Sequence, residues 1–212
     1  MDYSAVIVAA GSGTRMGLGY NKVYYEKDGI TILERTLRVF LEDEDCREVI
    51  AVTDPELFRE KLSHLKDARI RVVSGGATRQ ESVTNGVLCT NERIVMIHDG
   101  ARPYLSQECL NRLKECMRRS KAACLMVPCK DTIKRVADGY IVETIPRAEL
   151  MAAQTPQVFD REILLECLKK AREDHYTGTD DCSVVEKYAD IRIAVVEGDY
   201  ENLKITTPDD LR

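Results

Sequence analysis

The sequence lacks the features that mark several common classes of protein. Its eight cysteines include no Cys-x-x-Cys pair, and none of its three histidines accompanies a cysteine at zinc-ligand spacing. This spacing argues against a zinc site. We expect the cysteines to be reduced thiols. No basic leader precedes an apolar run, and no apolar run reaches membrane-spanning length, so we expect no signal peptide, no membrane segment and a cytoplasmic location. The formal net charge of −5 lacks the basic excess typical of proteins that bind nucleic acid.

Apolar runs that alternate with amphipathic segments are present and predict an α/β fold. The length of 212 residues suits a single domain, residues 1–212, with a sizeable core. Strands are predicted at residues 5–10, 48–53, 69–73, 93–98, 122–127, 191–196 and 203–206. Helices are predicted at 32–41, from 55, at 78–88, from 106, at 160–172 and at 179–185, with Thr78-Arg79-Gln80-Glu81 as a capping box and Thr179 as a cap. This alternation indicates a Rossmann-like three-layer sandwich with a mostly parallel sheet.

Residues 131–148 interrupt the alternation. Two β-rich runs flank Ala137-Asp138-Gly139, and Asp-Gly between such runs is a hairpin signal. The hairpin is predicted to project as an arm. Since an isolated hairpin is marginally stable, we expect it to pack on a second subunit and to act as a dimerisation arm.

A glycine-rich stretch directly follows the first predicted strand. Gly11 and Gly13 end that strand, and Arg15 and Lys22 follow them. Glycines at this position let backbone N–H groups approach an anion, usually a phosphate. The dinucleotide fingerprint fails because Met16 stands where a third small residue is needed, which disfavours an NAD-dependent oxidoreductase, and the P-loop pattern is absent. The stretch is therefore predicted to be a phosphate-binding loop of another kind.

The remaining candidate residues also follow predicted strands, where ligands bind in open α/β sheets. Read in order, these segments resemble the 2-C-methyl-D-erythritol 4-phosphate cytidylyltransferase family of the non-mevalonate isoprenoid pathway, over nearly the whole chain. The markers are Ala9-Ala10-Gly11-x-Gly13-x-Arg15-Met16-Gly17, Gly75-Gly76-x-x-Arg79-x-x-Ser82-Val83, His98-Asp99-x-Ala101-Arg102-Pro103, Asp131-Thr132-x-Lys134, Gln154-Thr155-Pro156-Gln157-x-Phe159, Thr179-Asp180 and Asn202-x-Lys204-x-Thr206-x-Pro208. Each is weak alone, and the ordered set is specific.

The resemblance implies a fold of the nucleotide-diphospho-sugar transferase type and a role for each matching residue. The nucleotide CTP would lie against Ala9, Ala10, Gly11, Gly13, Gly76 and Ser82, with Arg79 supporting that loop. The polyol phosphate would contact Asp99, Ala101, Arg102, Thr132, Arg147, Thr155, Thr179 and Lys204. The catalytic cations would be Arg15, Lys22, Arg147 and Lys204, and Arg147 would reach the site from the other subunit of a homodimer.

The implied chemistry fits these residue types. A substrate phosphate oxygen is already ionised at neutral pH, so its attack on the α-phosphorus needs no general base. Fixed cations and Mg²⁺ would bring two polyanions together and stabilise the developing charge. The metal ligands stay open among Asp99, Asp180, Asp181 and Asp209. Ribitol-5-phosphate cytidylyltransferase is the alternative enzyme, and a catalytically inactive nucleotide-binding protein is the alternative from another class.

Overall fold

A seven-stranded sheet forms the centre of the computed structural model, which describes residues 1–11, 21–207 and 210. The strands of the described part are β1 (Tyr3–Val8), β2 (Glu26–Lys27), β3 (Ile30–Thr31), β4 (Cys46–Val52), β5 (Ile70–Val73), β6 (Ile94–Asp99), β7 (Ala122–Pro128), β8 (Lys134–Ala137), β9 (Tyr140–Thr144), β10 (Met151–Asp160) and β11 (Ala194–Glu197). The α-helices are α1 (Ile32–Leu41), α2 (Pro55–Leu62), α3 (Arg79–Leu88), α4 (Gln107–Met117), α5 (Arg161–Glu173) and α6 (Asp181–Tyr188). Single 3-10 turns lie at Lys22–Tyr24 and Arg147–Glu149.

The central sheet is parallel except for one strand. Its order is β11-β7-β10-β6-β1-β4-β5, and β10 runs antiparallel to both of its neighbours. The predicted, mostly parallel sheet is confirmed, but the sequence did not predict β10. Gln154, Thr155 and Gln157 lie in its interior and are buried, so the strand lacks the apolar run or the regular alternation by which strands are recognised.

Helices cover both faces of the sheet, which confirms the three-layer sandwich. Alternate residues of β1 point to opposite faces: Ile7 packs in the core formed with α1, α2 and α4, and Val6 packs in the core formed with α3, α5 and α6. None of the helices in the described part of the chain has the length and apolar character needed to cross a membrane.

Most helix starts lie where capping residues predicted them. Thr78, with its hydroxyl accepting from the Glu81 amide, is confirmed as an N-cap, although the Glu81 carboxylate accepts from the Ala77 amide rather than from that of Thr78. The predicted cap at Thr179 is wrong. Asp180 is the cap of α6, because its extended backbone lets the carboxylate accept from the Ser183 amide at 2.8 Å.

The last predicted strand is also wrong. Residues 203–206 form no strand, because their backbone is held by single contacts such as that from the Ile205 amide to the Ala101 carbonyl at 2.9 Å. This coil nevertheless passes the carboxyl end of β6, where Lys204 lies 2.7 Å from Asp99.

The arm is confirmed as a hairpin with its own two-stranded sheet, β8 and β9. Asp138 and Gly139, at its turn, have φ values of 51° and 82°, as a two-residue hairpin turn requires. The side chains of Val136, Tyr140 and Ile141 are more than half exposed in the single chain, at 58%, 78% and 65%.

Helix α3 lies close to the sheet because Gly86 has no side chain. A Cβ atom there would meet Val6 Cγ1 and would lie 2.8 Å from Val52 Cγ2, and both valines are buried. The close approach matters for the site described below because α3 carries Arg79 and Ser82 near its start.

Gly86→Ala is therefore expected to lower the free energy of unfolding by about 1–2 kcal/mol, because overpacking outweighs the better helix propensity of alanine. Urea denaturation measures the change. Asn111→Ala, at an exposed position of α4, is the control and is expected to change stability by less than about 0.5 kcal/mol. A Gly86→Ala protein more stable than the parent would contradict the close contact between α3 and β1.

Candidate active site

A cavity of about 480 Å³ opens at the carboxyl ends of β1 and β6 and at the start of α3. This is where ligands bind in open α/β sheets. The structure brings together there ten residues that the sequence predicted for the site: Ala9, Ala10, Gly11, Lys22, Gly76, Arg79, Ser82, Asp99, Ala101 and Lys204.

Asp99, at the end of β6, lies among three cationic side chains. Its carboxylate is 2.7 Å from Lys204 Nζ, 3.4 Å from Arg79 Nε and 3.9 Å from Arg102 Nε. Burial disfavours the charged carboxylate, but Arg79 and Lys204 outweigh it and hold the pKa of Asp99 well below its usual range. The carboxylate is therefore ionised, and it holds Arg79 and Lys204, from two separate segments, at one wall of the cavity, with Arg102 behind it.

Arg79 is fixed from its other side by Asp181. Its two terminal nitrogens donate to the two carboxylate oxygens of Asp181 at 3.0 and 2.8 Å, a bidentate pair. Burial disfavours the guanidinium charge, yet Asp181 and Asp99 raise the pKa of Arg79. Since Asp181 is only 1% exposed, this pair is a rigid support beneath the cavity.

The loop that contains Gly75 and Gly76, just before α3, approaches the first strand closely. The Gly76 amide donates to Ser82 Oγ at 3.0 Å, and Ser82 Oγ donates to the Thr78 carbonyl at 2.9 Å. A Cβ on Gly75 would meet the Ala10 side chain, so only glycine lets the two loops come this close.

Lys22 enters the cavity from the segment that follows the glycine loop. Its Nζ donates to the Ile205 carbonyl at 2.6 Å, which joins that segment to the coil bearing Lys204. The neighbouring Asn21 donates from its side chain to the Ala9 carbonyl. The segment is thereby tied both to the end of β1 and to the coil.

Five further predicted residues do not line this cavity. Arg102 and Thr155 lie behind Asp99: Arg102 donates to the Asn202 carbonyl at 2.6 Å, and Thr155 Oγ1 accepts from the Asp99 amide at 3.1 Å. Thr132, Arg147 and Thr179 are exposed on the single chain. Arg147, at the base of the arm, donates to the Lys130 carbonyl at 2.8 Å.

Two predicted residues, Gly13 and Arg15, lie outside the described residues, as does Asp209. Within the described part, no group of three or more His, Cys, Asp or Glu side chains is arranged to hold a metal ion. Of the other metal candidates, Asp180 caps α6 and Asp181 pairs with Arg79.

A buried hydrogen-bond chain behind Asp99 was not predicted from the sequence. The Arg102 carbonyl can only accept, so His98 Nε2, 3.1 Å away, donates to it. Nδ1 of the neutral ring is then an acceptor, and Thr155 Oγ1 donates to it at 3.0 Å while accepting from the Asp99 amide. Burial lowers the pKa of His98 to about 4, so the ring is neutral and each nitrogen has one fixed role.

The sequence signal for these supports was weak. His98, Thr155 and Asn202 each belong to a quoted marker, but a marker does not show which residue contacts ligand and which supports it. The partner of Arg79, Asp181, is 102 positions away in the chain, and no local pattern pairs residues at that distance.

Comparisons with known proteins identify the family of the chain. The family model of IspD, 2-C-methyl-D-erythritol 4-phosphate cytidylyltransferase, matches residues 3–212. The chain belongs to this family.

Curated relatives from Bacillus licheniformis and Halalkalibacterium halodurans carry the same family name. The first is 44% identical, with 100% of this chain and 93% of the relative covered, and the second is 43% identical, with 100% and 94% covered. The family name favours methylerythritol phosphate over the ribitol phosphate alternative.

Solved cytidylyltransferase structures confirm the fold class. The 4-diphosphocytidyl-2C-methyl-D-erythritol synthase of Anaerococcus prevotii has a TM-score of 0.88 at 32% identity, with 99% of this chain and 92% of that chain covered. The 2-C-methyl-D-erythritol 4-phosphate cytidylyltransferase of Thermus thermophilus has a TM-score of 0.83 at 32% identity, with 100% and 96% covered.

As a site in this cytidylyltransferase family, the cavity is suited to binding anions and not to proton transfer. The imidazole of His98 is 0% exposed and both of its nitrogens are bonded. Asp99, the one carboxylate among the described residues that line the cavity, is kept ionised by cations. Charge complementarity, and not a general base, is therefore the main chemical resource of the described cavity.

The lowered pKa of His98 predicts a pH dependence of stability. Between pH 6.5 and about 4 the unfolded chain binds a proton on this ring that the folded chain does not, so the free energy of unfolding falls as pH falls. This contribution is about 3 kcal/mol across the window. The His98→Gln variant is expected to be less stable than the parent at pH 7, because it loses buried contacts. The difference in the free energy of unfolding between the two proteins is expected to shrink towards pH 4, because only the parent loses stability through His98.

Urea denaturation at several pH values measures these differences. His175→Asn is the control because His175 is exposed and asparagine tolerates its φ of 53°. The control is expected to stay parallel to the parent. A His98→Gln curve that also runs parallel to the parent would contradict a neutral, buried His98.

Proposed function

We propose that the protein transfers the cytidylyl group of CTP to 2-C-methyl-D-erythritol 4-phosphate, the reaction after which its family is named. The products are 4-diphosphocytidyl-2-C-methyl-D-erythritol and pyrophosphate. The observation that carries the proposal is the cavity in which Lys22, Arg79 and Lys204 converge beside Asp99. It supplies the positive charge that two polyanionic substrates require.

The reaction is a displacement at the α-phosphorus of CTP. An ionised phosphate oxygen of the polyol phosphate forms a bond to that phosphorus, and the bond from the phosphorus to the bridging α–β oxygen breaks. The electron pair of that bond leaves with pyrophosphate, so no proton has to move. This agrees with the position of His98, which is neutral and fully buried behind the cavity. Catalysis then rests on bringing the reactants together and on stabilising charge.

The two substrates occupy different parts of the cavity. The nucleotide lies between the end of β1, at Ala10 and Gly11, and the loop of Gly76 and Ser82, where two backbone segments come close together. The polyol phosphate lies on the side of Asp99 and Lys204. Asp99 accepts hydrogen bonds from the polyol hydroxyls, and Lys204 neutralises the phosphate. Lys22 stands between them and binds the triphosphate, and Arg15, which the sequence predicts for the same role, lies outside the described residues.

Mg²⁺ belongs to the substrate in this proposal. The carboxylate that the described cavity offers, Asp99, is already paired with Arg79 and Lys204, which does not fit a protein-bound metal site. Mg²⁺ is commonly held by substrate phosphates with few protein ligands. When bound to the triphosphate, it neutralises phosphate charge.

The arm completes the site of a second subunit. Its exposed apolar side chains, including Tyr140 and Ile141, provide a surface that a second copy of the chain can cover. Arg147 and Thr132, at the base of the arm, are exposed on the single chain, and the partner's site is where they act.

The eight free cysteines support a reducing, cytoplasmic location.

Pyrophosphate release tests the reaction. With CTP and Mg²⁺, turnover is expected with 2-C-methyl-D-erythritol 4-phosphate and not with ribitol 5-phosphate. Turnover with ribitol 5-phosphate alone would assign the alternative substrate. Binding of CTP without turnover in either assay would mean an inactive nucleotide-binding protein.

Lys22→Ala is expected to lower kcat by about 100-fold or more, with a much smaller change in CTP binding, because its charge acts mainly in the transition state.

Complementation between subunits tests the arm. Arg147→Ala and Lys22→Ala are each expected to have low activity alone. If Arg147 serves the partner's site, a coexpressed mixed dimer contains one intact site, and a random mixture recovers about a quarter of the parent activity. If Arg147 serves its own subunit, every site in the mixture carries a defect and no activity returns. A monomer in sedimentation analysis would also contradict the arm's role.

A further inference from the structure

Asn202 is a fully buried side chain with no role in the chemistry described above. It lies in the coil after β11 and is 0% exposed. Its Nδ2 donates to the Thr155 carbonyl at 2.8 Å and to Gln154 Oε1 at 3.2 Å, while its backbone carbonyl accepts from Arg102 at 2.6 Å. One residue thus joins β10, the loop after β6 and the coil.

Lys204 follows two positions later on the same coil. Residues 198–207 form no helix or strand, so regular backbone ladders do not hold Lys204 in place. The coil is fastened on each side of the lysine, by Asn202 before it and by the Ile205 amide, which donates to the Ala101 carbonyl, after it. The 2.7 Å contact between Lys204 and Asp99 lies between these two anchors, and Lys22 adds a further tie at the Ile205 carbonyl.

The geometry at Asn202 requires an uncharged double donor. Both groups facing Nδ2, the Thr155 carbonyl and Gln154 Oε1, act as acceptors. An aspartate has nearly the same shape but no donor when ionised, so it would place a buried charge against two acceptor oxygens. An asparagine-to-aspartate change therefore removes the anchor while keeping the volume.

We infer that Asn202 is a positioning residue for the polyol phosphate: its buried amide holds the coil so that Lys204 meets the substrate phosphate beside Asp99. The inference rests on the proposed function. Beyond its own coil, the hydrogen bonds of Asn202 are with Gln154, Thr155 and Arg102, and not with Gly76 or Ser82. Its effect therefore passes through Lys204. Its loss acts on the polyol phosphate and leaves CTP binding largely unchanged.

A double-mutant cycle tests this inference. Asn202→Asp is expected to raise KM for 2-C-methyl-D-erythritol 4-phosphate about tenfold or more, with KM for CTP changed less than about twofold. Lys204→Gln is expected to have an equal or larger effect on the same constant. Adding Asn202→Asp to Lys204→Gln should then change KM less than about twofold, because the lysine through which Asn202 acts is gone. Effects that multiply in the double variant would overturn the inference.

The matched control is Asn111→Asp, the same chemical change at an exposed position of α4, which is expected to match the parent. Asn202→Ser, smaller and uncharged, is the second variant and is expected to show the same split between the two KM values with a smaller effect. If both Asn202 variants fail to fold, or if both KM values rise together, Asn202 is a structural residue and the inference is wrong. A parent protein without turnover would instead contradict the proposed function.

Discussion

The carboxylate of Asp99 is the group on which the arrangement of the site depends. Arg79 and Lys204 come from two different segments and would repel one another on a shared cavity wall without a counter-charge, and Arg102 lies behind that wall. Asp99 lies within 4 Å of all three, which balances part of their charge before any substrate arrives. The cations are therefore already in place, and polyanionic substrates meet a preorganised surface.

The antiparallel strand β10 makes this arrangement rigid. The Thr155 hydroxyl accepts a hydrogen bond from the Asp99 amide and forms a second hydrogen bond with His98 Nδ1. Two residues further on, Gln157 donates to Asp180 at 2.7 Å and accepts from the Cys182 amide at 2.9 Å, which fixes the start of α6. That turn carries Asp181, the bidentate partner of Arg79. A strand with polar residues in its interior thus holds both supports of the cationic wall.

The parts of the fold that follow from local patterns could be predicted from the sequence. The apolar runs of β1 and β6, the Asp54-Pro55 start of α2 and the Asp138-Gly139 turn are each determined by neighbouring residues. Strand β10 was missed because its interior positions hold polar residues that are buried through hydrogen bonds with distant residues, so its sequence shows no apolar run and no regular alternation. Asp180 rather than Thr179 caps α6 because the backbone at that point, which the sequence does not reveal, directs the carboxylate at the helix. Gly11 and Lys22 were predicted from the glycine-rich stretch after β1, and the roles of the other cavity residues through the family resemblance, whereas the pairing of Arg79 with Asp181 is a long-range contact with no local signal.

The most direct measurement is a crystal structure of the protein with CTP and 2-C-methyl-D-erythritol 4-phosphate bound. We expect the nucleotide between Ala10 and Ser82, the polyol hydroxyls against Asp99, and the substrate phosphate beside Lys204, in the cavity at the ends of β1 and β6. Either substrate bound elsewhere, such as in the groove between α3 and α5 lined by Leu88 and Tyr176, would contradict it.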